Sequence, residues 1–174
     1  MEDGANNIDH ERCWYALRVR SRHEFVTCEE LCKKGIPAYL PSLKRWRQWK
    51  DRKRLVEFPL FPGYLFVRCA AHSGDYTGAL KTRGAVSFVC SQRQPASISP
   101  EEMNSLKLMV ESEQELNVFP HLTEGTRVRI VKGPLKGAEG VLEKKGPHFT
   151  FLVNIVLLSK SVGVTICADE VEAI

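Results

Sequence analysis

The sequence predicts an α+β chain in two parts: an antiparallel sheet with helices over residues 13–115, then a small five-stranded β-barrel over residues 123–174. Three observations predict it. Strand and helix patterns alternate from Cys13 through Val110, as in an antiparallel sheet with helices mainly on one face. Glycines at 125, 133, 137, 140, 146 and 163 then punctuate short β-branched runs, which is barrel spacing. Between these patterns, Phe58-Pro59-Leu60-Phe61-Pro62-Gly63 forces a bend, because two prolines fix φ and remove donors and a glycine admits a turn. The strand after it alternates, with Tyr64, Phe66 and Arg68 to one side and Leu65 and Val67 to the other.

Each element has its own signal. Residues 1–12 are polar and read as a disordered tail. Trp14-Tyr15-Ala16-Leu17-Arg18-Val19-Arg20 is rich in β-formers. Ser21-Arg22-His23-Glu24 has capping-box spacing, so a helix is expected over residues 21–34, with Gly35 as its stop. Ala38-Tyr39-Leu40-Pro41 begins an irregular strand. Residues 43–58 are expected to form a projecting twisted hairpin that turns near Lys50-Asp51-Arg52. Residues 74–81 make a short helix and residues 86–90 a strand, followed by a polar loop over 91–98. Ser99-Pro100-Glu101-Glu102 is a strong helix start, and Met103, Leu106, Met109 and Val110 give that helix one apolar stripe. Residues 116–122 read as a linker. The barrel strands are expected at Arg127–Val131, Ala138–Leu142, Phe149–Ile155, Val162–Cys167 and Glu170–Ala173. The glycines within this part break helical runs, so a barrel is expected and not a helical hairpin.

Composition bounds the function. Hydrophobic residues make up 43% of the 174 and charged residues 26%, a globular balance. No apolar run approaches the roughly 20 residues that span a bilayer, and the start of the chain has no secretory apolar core. A cytoplasmic monomer with no membrane contact is expected. Six cysteines lie mostly in apolar segments and read as reduced thiols. Cys28 and Cys32 could share a helix face, but no other pair has metal-ligand spacing, so no metal or other cofactor is expected. The glycine-rich run 133–140 lacks the Gly-Lys-Ser/Thr ending of a phosphate loop, and no nucleophile–base spacing occurs. An enzyme is not expected.

The net charge of +4 is unevenly spread. Arg18, Arg20, Arg22 and His23 form one cluster. Lys44, Arg45, Arg47, Lys50, Arg52, Lys53 and Arg54 form a second, interrupted only by Asp51. The second interleaves with Trp46 and Trp49. Cations attract phosphates whatever the sequence, and aromatics offer stacking to unpaired bases. Arg45, Trp46, Arg47, Trp49, Arg52 and Arg54 are therefore candidate nucleic-acid contacts.

Trp14-Tyr15, the Leu60–Val67 stretch and Thr82-Arg83-Gly84-Ala85-Val86-Ser87-Phe88-Val89 together resemble the N-terminal domain of the NusG family. Gly125-Thr126-Arg127-Val128-Arg129-Ile130-Val131-Lys132-Gly133-Pro134-Leu135-Lys136-Gly137-Ala138-Glu139-Gly140-Val141 resembles its KOW motif, which implies an SH3-like barrel. The resemblance covers residues 13–174. It implies a transcription elongation or antitermination factor that docks on the clamp helices of bacterial RNA polymerase. Carried over by position, Trp14, Tyr15, Phe61, Pro62, Tyr64 and Phe66 correspond to the clamp-helix surface. Tyr76 and Thr77 fall where the family meets the gate loop, in a motif that differs here.

The Leu-Phe-Pro-Gly-Tyr-Leu-Phe-Val form is similar to specialised paralogues of the RfaH kind, which read non-template DNA. In those terms Arg20 and Arg83 match basic DNA contacts. Glu30 replaces a base-reading histidine, so Arg22 and His23 would serve a different element, with upstream DNA near the hairpin. The barrel would recruit termination factor Rho or a small-subunit ribosomal protein through Phe151, Val153, Ile155, Leu157 and Leu158. Two alternatives are a housekeeping NusG-type factor and an RNA- or ribosome-binding KOW protein.

Overall fold

The computed structural model describes residues 12–120, 125–145 and 148–174. All of the expected tail except Arg12 lies outside the described residues. Strand β1 (Cys13–Val19) is followed by helix α1 (Glu24–Lys33), a short β2 (Ala38–Tyr39), and the hairpin β3 (Ser42–Gln48) and β4 (Lys53–Pro59). Then come β5 (Tyr64–Cys69), α2 (Gly74–Leu80), β6 (Ala85–Phe88), β7 (Cys90–Ser91), β8 (Gln94–Pro95), β9 (Ser97–Ile98) and α3 (Pro100–Glu111). The last part holds β10 (Asn117–Pro120), β11 (Thr126–Ile130), β12 (Glu139–Lys145), β13 (His148–Ile155), β14 (Lys160–Ile166) and β15 (Val171–Ala173). No described helix is long and apolar enough to cross a membrane.

The first sheet has the order β2-β5-β1-β6, with β9 also paired to β1. Its register sets Ala16 opposite Phe66 and Arg18 opposite Tyr64 on one face, with Leu17 opposite Leu65 and Tyr15 opposite Val67 on the other. The alternation read from residues 64–68 is thus the observed one. Beneath α1 and α2, the buried Tyr15, Leu17, Val19, Leu31, Leu65, Val67 and Ala79 form one apolar cluster. Helix α3 packs on the opposite face through Met103, Leu106 and Met109, all fully buried. Burial of each such side chain is worth about 1.5–3 kcal/mol. Its start follows its sequence: Pro100 opens the helix, and the Ser99 hydroxyl accepts from the Glu102 amide at 3.1 Å.

The second sheet has six strands in the order β10-β14-β13-β12-β11-β15. Five match the expected barrel strands within a few residues. The sixth, β10, comes from the stretch read as a linker: Val118 pairs with Val162 and Phe119 with Ser161. The barrel does not stand apart. Val128, Phe151, Val153, Ile155 and Val164 belong to the same apolar cluster as Phe66 and the α3 stripe. The Glu139 amide donates to the Ser105 hydroxyl at 2.9 Å, tying β12 to α3.

Two local expectations are corrected. Helix α1 starts at Glu24, with His23 at its N-cap and no side-chain cap. Arg22 has φ +65°, a left-handed turn that keeps residues 21–23 out of the helix, and Ser21 makes no capping box with Glu24. Residues 91–98 are also not a plain loop. Gln92 and Arg93 both take positive φ (49° and 66°), which closes the β7–β8 hairpin.

Candidate functional site

The hairpin is regular and exposed. Pairing runs from Ser42 opposite Pro59 to Gln48 opposite Lys53, and the Trp49 amide donates to the Arg52 carbonyl at 2.8 Å to close the turn over Lys50-Asp51. Every residue from Lys44 to Leu55 is exposed. Alternation puts Lys44, Trp46, Gln48, Lys53 and Leu55 on one face, and Arg45, Arg47, Arg54, Val56 and Phe58 on the other. The second face is anchored. The Arg47 guanidinium lies 4.6 Å from the centre of the Phe58 ring, and Arg45 Nη2 donates to the Leu116 carbonyl at 3.0 Å. At the base, the Ser42 hydroxyl donates to the Glu57 carboxylate. Trp46 remains 69% exposed and Trp49 59%.

A second basic surface assembles from residues 60 to 63 positions apart in sequence. The Arg20 amide donates to the Gly84 carbonyl at 2.8 Å, and the buried Thr27 hydroxyl donates to the Arg83 carbonyl at 2.8 Å. This places Arg20, Arg22, His23 and Arg83 at one corner, with all three arginines exposed and His23 half-buried. The His23 Nδ1 lies 3.1 Å from the Ser21 carbonyl. The corner forms where β1 ends and β5 begins. The hairpin leaves the same end, because β2 runs antiparallel to β5 with Tyr39 opposite Phe66 and hands the chain straight to β3.

The turn between hairpin and sheet rests on a residue that sequence reasoning gave another job. Gly63 has φ +83°, and its amide donates to the Glu24 carboxylate at 2.8 Å. Glu24 is 5% exposed and caps this turn, not its own helix. The Glu24–Gly63 partnership left no signal in local spacing.

The aromatic candidates are divided between the two faces of the sheet. Phe61 and Phe66 meet edge to face at 6.1 Å and are buried in the cluster that also holds α3 and the barrel core. Tyr64 and Trp14 are half-buried on that side. The Lys107 ammonium sits 4.5 Å from the centre of the Trp14 ring and 5.4 Å from that of Tyr39. Burial, and then the nearby Glu111, pushes the Tyr39 hydroxyl up to about 12. Tyr15 faces the other way, edge-on to Phe88, and Tyr76 stacks on that same Phe88 ring at 4.3 Å. Thr77 is exposed on α2, and Pro62 is exposed in the turn before β5. The eight residues thus do not form one surface.

The sequence model described as transcription termination factor nusG matches residues 12–107. The chain belongs to the NusG family. Among curated relatives, the transcription termination/antitermination protein NusG of Deinococcus radiodurans is 28% identical over 135 residues, covering 69% of this chain and 71% of that protein. The protein of the same description from Borreliella burgdorferi is 23% identical over 151 residues, covering 75% and 81%. A solved structure of Thermotoga maritima NusG superposes with a TM-score of 0.55 at 24% identity, covering 94% of this chain and 98% of that one, so the fold is shared across both parts.

In this NusG-family barrel, Phe151, Val153 and Ile155 are fully buried and fill the core. The 3-10 turn Val156–Leu158 (VLL) does reach solvent: Val156 is 57% exposed while Leu157 and Leu158 pack half-buried against the cluster. Sequence reasoning missed Lys107 and Leu55. Lys107 lies between apolar positions of the α3 stripe, and nothing local showed that two rings would bracket it.

Proposed function

We propose that this NusG-family chain is a transcription elongation and antitermination factor. It docks on the clamp helices of RNA polymerase and suppresses pausing or termination, as a specialised paralogue acting on particular operons. One observation carries the reading: two separate basic surfaces, the hairpin and the Arg20/Arg83 corner, leave the same end of the sheet in a chain of this family. Seven cations face one carboxylate between residues 44 and 54, while the whole chain is only +4, so the rest is net acidic. Such a concentrated field draws the molecule to a polyanion in one orientation. That orientation presents the hairpin and corner to upstream or non-template DNA.

The Phe61/Phe66 face supports the docking half of the reading, since aromatic anchors beside small strand residues suit packed helices. It merges with the barrel core, so a clamp helix reaches it when the seam along α3 opens. The Val156–Leu158 turn is the barrel's candidate contact for Rho or a small-subunit ribosomal protein. The names of the curated relatives support a role in termination or antitermination.

Single-round transcription by purified bacterial RNA polymerase tests this, with wild type compared with Tyr64→Ala and with Arg52→Gln/Arg54→Gln. Read-through or faster elongation that both variants weaken is expected. Wild-type protein that neither binds polymerase nor changes elongation on any template would overturn the proposal.

A further inference from the structure

The hairpin is asymmetric. Its Arg45/Arg47 face is tied to the body through the Leu116 carbonyl, and the Arg47 guanidinium is held over the Phe58 ring within the hairpin. Its other face carries the most exposed large apolar side chain of the described residues, Trp46 at 69%, beside its cross-strand partner Leu55 at 46%. At that exposure most of the indole is open to solvent. We propose that the Trp46 face is a stacking surface for an unpaired base of a single-stranded nucleic acid. This rests on the reading that the hairpin lies against nucleic acid, and it names the strand state that the hairpin selects.

The occupant follows from the groups on that face. Trp46, Gln48 and Lys53 line a shallow hollow. Lys44 is two residues along the same strand, about 7 Å away by strand rise. An indole plane accepts any base, a carboxamide offers both donors and an acceptor to a base edge, and two flanking ammonium groups meet backbone phosphates. The face's one carboxylate, Glu57, is engaged by the Ser42 hydroxyl at the hairpin base, away from the hollow. A duplex keeps its base planes inside its own stack and would meet only the lysines. The arrangement therefore favours a flexible single strand over a duplex, and over an uncharged apolar partner, for which the two ammonium groups have no use.

The test is a fluorescence titration of the full chain with oligo-dT, oligo-rU and a duplex of matched length. Single strands are expected to quench tryptophan emission and to bind more tightly than the duplex. Trp46→Leu keeps an apolar partner for Leu55 but removes the indole, and is expected to weaken single-strand binding about tenfold or more. Trp46→Phe should recover part of that loss, and Trp49→Leu should keep most of the binding. Preference for dT or for rU identifies the strand as DNA or RNA, and either supports the proposal.

Three results would overturn it. One is a duplex that binds as tightly as a single strand, with Trp46→Leu indifferent. A second is equal or greater loss in Trp49→Leu. The third is no quenching at millimolar nucleotide while Trp46→Leu still abolishes the transcription effect, which would make the face a protein contact. Single-strand binding that depends on Trp46 in a protein with no effect on polymerase would leave this surface standing and reject the broader function.

Discussion

Ser105 holds the seam between the two parts of the chain, and its removal gives a measurable opening. The hydroxyl is 2% exposed and accepts from the Glu139 amide at 2.9 Å. Ser105→Ala takes away this acceptor with little change in volume, in a cluster that already excludes water through Met103, Leu106 and Met109. An amide left without a partner in a dry site costs about 1–3 kcal/mol. Pairing of β12 with β11 and β13 remains, so the loss falls on the seam and not on the barrel. Each 1.4 kcal/mol is a factor of ten in an equilibrium, so opening of the seam is expected to rise by roughly 5- to 150-fold. Amide hydrogen exchange resolved at Glu139 reads this directly, with the Phe151 and Leu152 amides as internal controls within the barrel. Unchanged exchange at Glu139, with the controls also unchanged, would refute the reasoning, because the seam would then owe nothing to this bond.

Three further outcomes are expected. Glu24→Ala should cost about 1.5–3 kcal/mol in urea denaturation, the range for a hydrogen bond to a charged group, by freeing the Gly63 amide; Glu24→Gln should cost less, and equal midpoints for all three proteins would contradict the role given to Glu24. Gly140→Ala would set a Cβ 2.2 Å from the Leu152 carbonyl oxygen and 2.9 Å from the Phe151 ring, so about 1–3 kcal/mol or more of barrel stability should go, and an unchanged barrel transition would contradict the packing. Burial pushes Cys28 and Cys69 up to about 11 and Tyr39 up to about 12. These acids hold their protons more tightly folded than unfolded, so stability should be level to about pH 8.5 and fall as pH rises from about 9 towards 12. A denaturation midpoint that stays flat or rises over that window would contradict it, as would alkylation of buried Cys69 ahead of exposed Cys32.

Much of the fold was legible because its signals are local. Ser99, Pro100 and Glu102 specify a helix start by themselves, and the side-to-side alternation of residues 64–68 needs no knowledge of neighbouring strands. The barrel strands were legible from glycine spacing and β-branched runs. What escaped depends on partners far away in sequence. Glu24 has capping-box spacing with Ser21, yet the left-handed Arg22 removes that option and the Gly63 amide takes the carboxylate. Asn117–Pro120 reads as a connector because it ends in proline, but an edge strand needs ladder donors on one side only. The basic corner was half legible. Arg20, Arg22 and His23 are adjacent, while Arg83 joins them only through hydrogen bonds made by its own and the next residue's backbone. The hairpin over residues 43–58 and its turn near Lys50-Asp51-Arg52 were legible, since a run of strand-forming residues on either side of a polar turn is a local signal.

The strand β10 sets how far the two parts can move from each other. With β10 held on β14, the slack lies between Glu111 and Asn117, where five intervening residues span at most about 21 Å when stretched. Leu116 is buried, with its carbonyl held by Arg45, and shortens that leash further. A barrel that leaves α3 while keeping β10 stays at its own doorstep, at an effective concentration in the millimolar range or above, and rebinds quickly. Peeling β10 from β14 would lengthen the tether nearly threefold, from five residues to the fourteen between Glu111 and Thr126, and let the barrel search a much larger volume. The chain thus has a short range and a long range of reach, separated by one strand.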